Sequence, residues 1–454
     1  MQKEKWLWCG LSLLAPLLLS LPGPVTGMSS GAAPTGGVLF FYAVFGLHLS
    51  VSIGLSRRLW LQPRLFTRRQ LTLLALGGLA LAGLGGSPWL DDDLYRYMWD
   101  GRSGYLGHPA LLGWPDEAGP GGFPLPLWER MSYRSVPGIY PPLAQYFFQF
   151  LWWLWGPVPW LWLLSFTFVA GGCLLLCSRL AAGRQVPLWY LWLFLSGFVW
   201  LKELADSGHV DSLGLLLVIP ALWPGGGRRL ALVQGGLWGL AAMVKPLALV
   251  LLILGPLPWR DKAGRLLVAA GAAAGIGWIY FGGMQGLLWY GETLRMFSRY
   301  WVFNPGPADA LRALFFGGDI SAAAWNTTAD YLRWLLLILL AAGGWLSSRV
   351  CHPVLSLWLC GLALILPMAV NPWYLAWLLP PLLLAAGQGR HWWLLSAPWL
   401  LLMNLSFQSY VFWLDLQDLA WQRRLTWLLW AGFLLLVLGW YSRRRRLART
   451  SGSG

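Results

Sequence analysis

Apolar residues along this chain neither alternate nor recur on one helical stripe; they come in long, nearly unbroken runs. The runs fall at about 6–22, 36–56, 70–86, 158–178, 187–201, 209–223, 230–257, 264–281, 329–348, 353–370, 374–387, 391–410 and 425–441. Most approach the length a helix needs to cross roughly 30 Å of hydrocarbon at about 1.5 Å per residue. Inside lipid the backbone has no water to bond, so such runs fold as helices that satisfy their own amides. The pattern predicts an all-α integral membrane protein, a polytopic helix bundle of about 12–14 transmembrane segments, read as one domain over 1–454.

Two places depart from simple crossing. Segment 143–156, LAQYFFQFLWWLWG, is short, and its tryptophans suit a membrane interface. A full crossing there would invert the later basic loops, so an interfacial or re-entrant helix is expected. The run 230–257 is interrupted by Lys245-Pro246. Proline breaks the helix, so this run enters and returns as a broken pair with Lys245 at its tip. A charge facing lipid costs about 2.5–3.5 kcal/mol on insertion scales, so Lys245 is expected to face a cavity or a partner. Lys3 and Lys5 precede the first run as in a signal peptide. Pro22 to Gly27 makes a poor cleavage site, however, and the run is read as a retained helix.

Composition agrees with lipid burial: 57% of the 454 residues are apolar, 11% are charged, and the mean hydropathy is +0.56. Soluble domains spend about a quarter of their residues on charge. A net charge of +15 invites a nucleic-acid reading, which the placement of the charges excludes. With the N-terminus inside, most Lys/Arg fall on the cytoplasmic side: Arg57–Arg69, Arg179, Arg184, Arg228, Arg229, Arg260–Arg265, Arg349, Arg390, Arg443–Arg446 and Arg449. All Asp/Glu except Glu4 and Asp261 fall outside. Basic loops facing the cytoplasm follow the positive-inside rule. Both termini are therefore expected to be cytoplasmic, with the basic tail 442–454 against anionic membrane lipid rather than nucleic acid. Cys9, Cys173, Cys177, Cys351 and Cys360 lie in or beside apolar runs and read as packing residues.

The same threading leaves three outer regions: 87–142, 282–328 with Arg295, Arg299, Trp301, Asn304 and Asp319, and 410–424 with Asp415 and Asp418. The first opens on PWLDDDLYRYMWDGR, residues 88–102. Three adjacent carboxylates repel, which raises the pKa of at least one unless a cation offsets them. Such a carboxylate can act as general base on a sugar hydroxyl. The blander reading is a solvated acidic loop, and the flanking aromatics with Arg96 and Arg102 favour function over it. In KELADSGHVD, 202–211, the residues Lys202, Glu203, Asp206, His209 and Asp211 cluster at an outer turn. Their spacing fits no standard zinc pattern, and Lys202 suits a phosphate group. At Asn371-Pro372-Trp373-Tyr374 a turn separates two apolar runs, and its aromatics serve either as interfacial anchors or as a sugar-stacking surface. Acids, cations and aromatics on one face suit a lipid-phosphate-linked substrate. A lipid-linked-sugar flippase or transporter without chemistry also needs charges in a cavity; against it, the acids gather in one loop.

The runs DDDLYRYMWDGR, IYPPLAQ (139–145), KELADSGHVD, GLAAMVKP (239–246) and NPWYLAWLLP (371–380) occur in this order. Together, over 88–380, they resemble bacterial polyprenyl-phosphate-sugar-dependent mannosyltransferase-like membrane proteins of the GT-C glycosyltransferase superfamily. The resemblance implies a GT-C bundle in a bacterial inner membrane, with 87–142 as an extracytoplasmic catalytic loop. It implies a hexose such as mannose carried on polyprenyl phosphate, and a glycan, lipid or protein acceptor. It places the catalytic base on Asp93, with Asp92 as the alternative. Substrate contacts are implied for Asp91, Arg96, Tyr97, Asp100, Arg102, Tyr140, Lys202, Glu203, His209, Asp211, Lys245, Asn371, Trp373 and Tyr374. Arg96, Arg102, Lys202 and Lys245 would offset charge on the leaving phosphate in a single, inverting displacement. No cofactor is expected; paired acids tolerate a divalent metal, which is not favoured. An outer-face polysaccharide polymerase or ligase is the enzymatic alternative. Where such proteins often read Gly-x-Asn-Pro-Tyr, this chain has Gly107-His108-Pro109-Ala110, which leaves sugar and acceptor unassigned.

Overall fold

The apolar runs fold as helices in a computed structural model that describes residues 2–21, 35–86, 90–108, 113–223, 227–301, 306–317, 321–367, 369–388 and 392–405, with Pro88, Ala431 and Leu435 singly. In chain order the helices are α1 (Gln2–Leu19), α2 (Thr35–Leu61), α3 (Arg68–Ala82), α4 (Asp93–Tyr105), α5 (Pro115–Ala118), α6 (Leu125–Arg130), α7 (Pro142–Trp155), α8 (Pro159–Gly183), α9 (Leu188–Leu195), α10 (Asp211–Ala221), α11 (Arg228–Ala242), α12 (Leu247–Leu254), α13 (Trp259–Phe281), α14 (Met284–Tyr300), α15 (Gly306–Phe316), α16 (Ala322–Val350), α17 (Pro353–Ile365), α18 (Leu379–Ala385) and α19 (Trp392–Leu405). A π-helical segment, Trp200–Asp206, precedes α10, and a 3₁₀ segment, Pro372–Leu378, leads into α18. The outer region 410–424, the run 425–441 apart from Ala431 and Leu435, and the basic tail lie outside the described residues.

The all-α polytopic architecture is as expected, but the spans differ in number from the runs. Four helices are long and apolar enough to cross a membrane among the described residues: Leu39–Leu61, Pro159–Gly183, Trp259–Phe281 and Ala323–Val350. The pair Leu188–Leu195 and Trp200–Asp206, bent by 40° at its break, passes the same test of length and composition only when taken together, as a broken span or a re-entrant loop. The expected 12–14 segments therefore resolve partly into short and broken helices. Prolines account for several breaks: Pro246 splits 230–257 into α11 and α12, Pro353 opens α17, and Pro372 opens the 3₁₀ segment. The regions 87–142 and 282–328, expected as loops, carry helices α4 to α6 and α14 to α15. Segment 143–156 is the 14-residue helix α7, which packs along α4.

The crossing of α4 and α7 depends on a missing side chain. A Cβ at Gly101 would stand 2.4 Å from the Phe148 carbonyl oxygen, so only glycine allows this approach. Among the described residues two small clusters, one of Ala308, Ala329 and Leu332 and one of Phe281 and Tyr290, stand beside two large apolar cores. The larger joins α1–α3 and α8–α12 to α17–α19 around the buried Trp200, Trp238, Trp377 and Trp399. The smaller, around Tyr97, Phe148, Trp162 and Phe166, lies beneath α4 and carries the acids. At the start of α7, the Leu143 N–H donates to the Met243 carbonyl at 2.9 Å, which seats α7 beside the Lys245 break.

Candidate active site

Asp91 and Asp92 precede α4 and Asp93 is its first residue, so the three side chains leave the backbone in different directions. Leu90 sits at φ +50, a costly left-handed conformation for this side chain, and its burial pins the turn that aims the acids. Asp91 Oδ1 accepts from the Asp93 N–H at 3.0 Å, and its Oδ2 meets His209 Nε2 at 3.2 Å. Asp92 turns the other way and accepts from the Ser132 N–H at 3.1 Å. Asp93, with its side chain 25% exposed, accepts from the Tyr140 hydroxyl at 3.0 Å, and the Tyr97 oxygen stands 3.3 Å from the same carboxylate oxygen.

The cation beside these acids is His209, completely buried in the turn after the π-helical segment. Gly208, at φ +67, lets the chain reverse there. His209 Nε2 lies between Asp91 Oδ2 (3.2 Å) and Glu203 Oε2 (3.1 Å), with its N–H aimed squarely at neither. Its Nδ1 is 3.3 Å from the Tyr97 oxygen and 3.6 Å from Asp93 Oδ2, and its ring stacks on Trp373 at 4.1 Å between centroids. The network assigns the protons: Nδ1–H donates to Tyr97, Tyr97 to Tyr140 at 3.0 Å, and Tyr140 to Asp93. Asp91, Glu203 and His209 each bring a ligand atom within 4.8 Å of the others, a spacing that suits a metal ion. An imidazolium puts a positive charge in the same place.

This arrangement gives the three acids three different affinities for a proton. Burial alone would push the Asp91 carboxyl up, but the charge of His209, with Lys202 behind it, holds it below the usual range. Asp92 is pushed well above that range by burial and by its two acidic neighbours. Burial, and after it the charge of Asp91, raise Asp93 to about 6 against the pull of His209, the Tyr140 hydrogen bond and Lys245. Burial opposes the charge on His209, yet Asp91 and then Glu203 raise it to about 10. Near neutral pH, Asp93 is thus ionised and weakly basic and His209 is a cation, while burial and two acidic neighbours make Asp92 a poorer acid than a free carboxyl.

The other named residues fall into place around this centre. Lys245 Nζ bonds both Asp211 oxygens at 2.7 and 2.8 Å and stands 4.2 Å above the Tyr374 ring. Trp377 Nε1–H donates to Asp211 at 2.5 Å. Lys202 is fully buried against Asp206 (3.2 Å) and the Ser207 hydroxyl. Arg96 donates to Asp100 at 2.8 Å and to the carbonyls of Tyr133 and Val136 at 2.9 and 3.1 Å, while Gln145 donates to the far oxygen of Asp100 at 3.0 Å. The cation that meets the acids is His209. Two of the charges expected at the leaving phosphate lie elsewhere. Arg102 does not line the site; it bonds the Gly121 carbonyl and lies 5.8 Å from the Trp99 ring. Lys202 is likewise enclosed in its own pairs, because a buried charge without a partner is expensive.

A cavity of about 280 Å³ opens over Asp93. Asp92, Asp93, Arg96, Asp100, Tyr140, Asn371, Trp373 and Tyr374 line it, as do Ser132, Tyr133, Met296, Phe297 and Trp301. Within it, Asn371 Oδ1 is buried and accepts no hydrogen bond among the described residues. The second group was not assigned to the site from sequence, although Trp301 was noted. Tyr133 and Trp301 meet edge to face at 4.5 Å, and Phe297 stacks on Trp301 at 5.4 Å. Residues 133 and 301 share no local signal. The Tyr290 hydroxyl, bonded to the Ile139 carbonyl at 3.0 Å, ties α14 to this side of the molecule.

The model of glycosyltransferase family 87 matches residues 139–367, half of the chain. The matched stretch includes Tyr140, the π-helical segment, His209, Asp211 and Lys245, and stops short of Asn371; the acids precede it. No curated protein and no solved structure matches the chain.

Proposed function

The chain belongs to glycosyltransferase family 87, a family of membrane glycosyltransferases, and we propose that it moves a hexose such as mannose from polyprenyl phosphate to a hydroxyl acceptor, with Asp93 as general base. One observation carries this reading. Of the three acids, Asp93 alone combines a partly exposed carboxylate on the cavity with a pKa of about 6, the poise a base needs at neutral pH.

The acceptor hydroxyl gives its proton to Asp93 as its oxygen forms the new bond to the anomeric carbon. The bond from that carbon to the phosphate oxygen breaks, the electron pair leaves with polyprenyl phosphate, and the configuration inverts. Phosphate is already a good leaving group, so no covalent enzyme intermediate is needed. Arg96 lines the cavity and Lys245 stands over its Tyr374 wall; each is shared with a carboxylate, Asp100 and Asp211, and both lend positive charge to the leaving group from those fixed positions. Tyr133, Phe297 and Trp301 offer faces on which a sugar ring stacks. The basic-loop distribution supports an extracytoplasmic cavity in a bacterial inner membrane.

The experiment is direct. Purified protein is incubated with polyprenyl phosphates carrying mannose, glucose or galactose and a simple sugar acceptor, and free polyprenyl phosphate is measured. Release with one sugar, lost in Asp93→Asn, is expected; release from none of them sinks the proposed donor class.

A further inference from the structure

A second cavity, of about 410 Å³, lies at the other end of the bundle. Helix α8 connects the two ends: Phe166 packs in the core beneath the acids, and Arg184 follows the last residue of the helix. At the helical rise Phe166 and Arg184 are roughly 27 Å apart. The walls are largely apolar, with Leu222, Trp223, Trp238, Leu251 and Leu257 contributing. Against them stand two guanidinium groups. Arg265 is only 8% exposed and is held by a neutral partner: its Nε and Nη2 donate to Gln234 Oε1 at 3.1 and 2.7 Å, and its Nη1 to the Asp261 carbonyl at 3.1 Å. Arg184 donates from Nη1 to the Leu384 carbonyl at 3.2 Å, and its buried Nε–H has no partner among the described residues. Asp261 also lines this cavity, but among the described residues neither arginine has a carboxylate within the 4.0 Å of an ion pair.

A buried cation and a half-buried one lining the same cavity, neither with a carboxylate partner, are costly. An oxyanion relieves this cost, because guanidinium presents paired N–H donors that match phosphate geometry. The apolar walls add a second requirement, since a small hydrated anion leaves them bare. We propose that this cavity seats the phosphate group of an anionic lipid, with Arg184 and Arg265 on the phosphate and the Leu and Trp walls around the adjoining acyl or isoprenoid chain. The site stands apart from the acids and rests on neither the catalytic reading nor its donor.

Native mass spectrometry of the detergent-purified full chain tests it with four ligands: phosphatidylglycerol, polyprenyl phosphate, diacylglycerol and inorganic phosphate. One phosphatidylglycerol or polyprenyl phosphate adduct that diacylglycerol does not form is expected, and the stronger of the two names the lipid. Arg184→Gln and Arg265→Gln should each weaken it about tenfold or more, the loss of a charge-assisted contact, while Asp93→Asn leaves the phosphatidylglycerol adduct unchanged. Arg265 also braces Gln234, so if Arg265→Gln misfolds, Arg184→Gln decides the matter, since among the described residues its side chain bonds one carbonyl, that of Leu384. Equal adducts on the parent and Arg184→Gln overturn the site. Inorganic phosphate displacing the lipid at matched concentration overturns a lipid as the occupant.

Discussion

Tyr140→Phe removes one hydroxyl and almost no volume, and its effect is calculable from the geometry around Asp93. The Tyr140 hydroxyl donates to Asp93 Oδ2 at 3.0 Å, and Tyr97 is the other hydroxyl on that oxygen, at 3.3 Å. A hydrogen bond to a charged group contributes about 1.5–3 kcal/mol, equivalent to about 1–2 pKa units at 1.36 kcal/mol each. Tyr97, relieved of Tyr140, turns its proton onto Asp93 and recovers part of this, so a rise of about one unit is expected. Asp93 then titrates near 7 instead of about 6. The basic form of a carboxylate is lost as pH falls through its pKa, so kcat/KM drops on the acid side. At pH 5 the ionised fraction falls about tenfold relative to the parent, whereas at pH 8.5 the two enzymes nearly coincide. The assay is kcat/KM for sugar transfer from pH 5 to 9. If Tyr140→Phe lowers the rate equally at every pH and leaves the acid limb in place, Tyr140 contacts substrate and does not tune Asp93, and the chain from His209 to Asp93 has no catalytic meaning.

Asp93→Asn keeps the shape and removes the base, so turnover should fall about 10²–10⁴-fold with donor binding little changed; an equal fall in Asp92→Asn but none in Asp93→Asn would move the base by one residue. Lys245→Met leaves Asp211 buried beside Trp377 without its cation, which should cost about 3–5 kcal/mol and show as a lowered melting temperature. Adding Asp211→Asn should recover much of that stability, and a single variant as stable as the parent would contradict the pairing. For topology, single cysteines at Asp116 and Leu447 are treated with an impermeant thiol reagent on intact cells; Asp116→Cys should react and Leu447→Cys should not, and the opposite pattern inverts the orientation.

Much of the architecture was legible in one dimension because it is local. Apolar runs become helices in lipid whatever they touch, Pro246 breaks a helix through its own ring, and the motif beginning at Asp91 stands out by adjacency alone. The helices inside 87–142 and 282–328 were harder to see, because those regions are poorer in long apolar runs than the spans. At the candidate site, residues named from sequence lie near one another, but which charge meets which was not legible. Arg96 lies within a few residues of the acids, yet a guanidinium at the fourth place along a helix reaches Asp100. The true counter-charge, His209, lies more than a hundred residues away and arrives only because Gly208 reverses the chain beneath α4. The same holds for Lys245 on Asp211, for Tyr133 against Trp301, and for Arg184 and Arg265 on one cavity. Ion pairs and cavities form where helices distant in sequence pack together, and burial decides which partner each charge takes. What a residue is made of can be read along the chain; what it faces is decided only by the packed bundle.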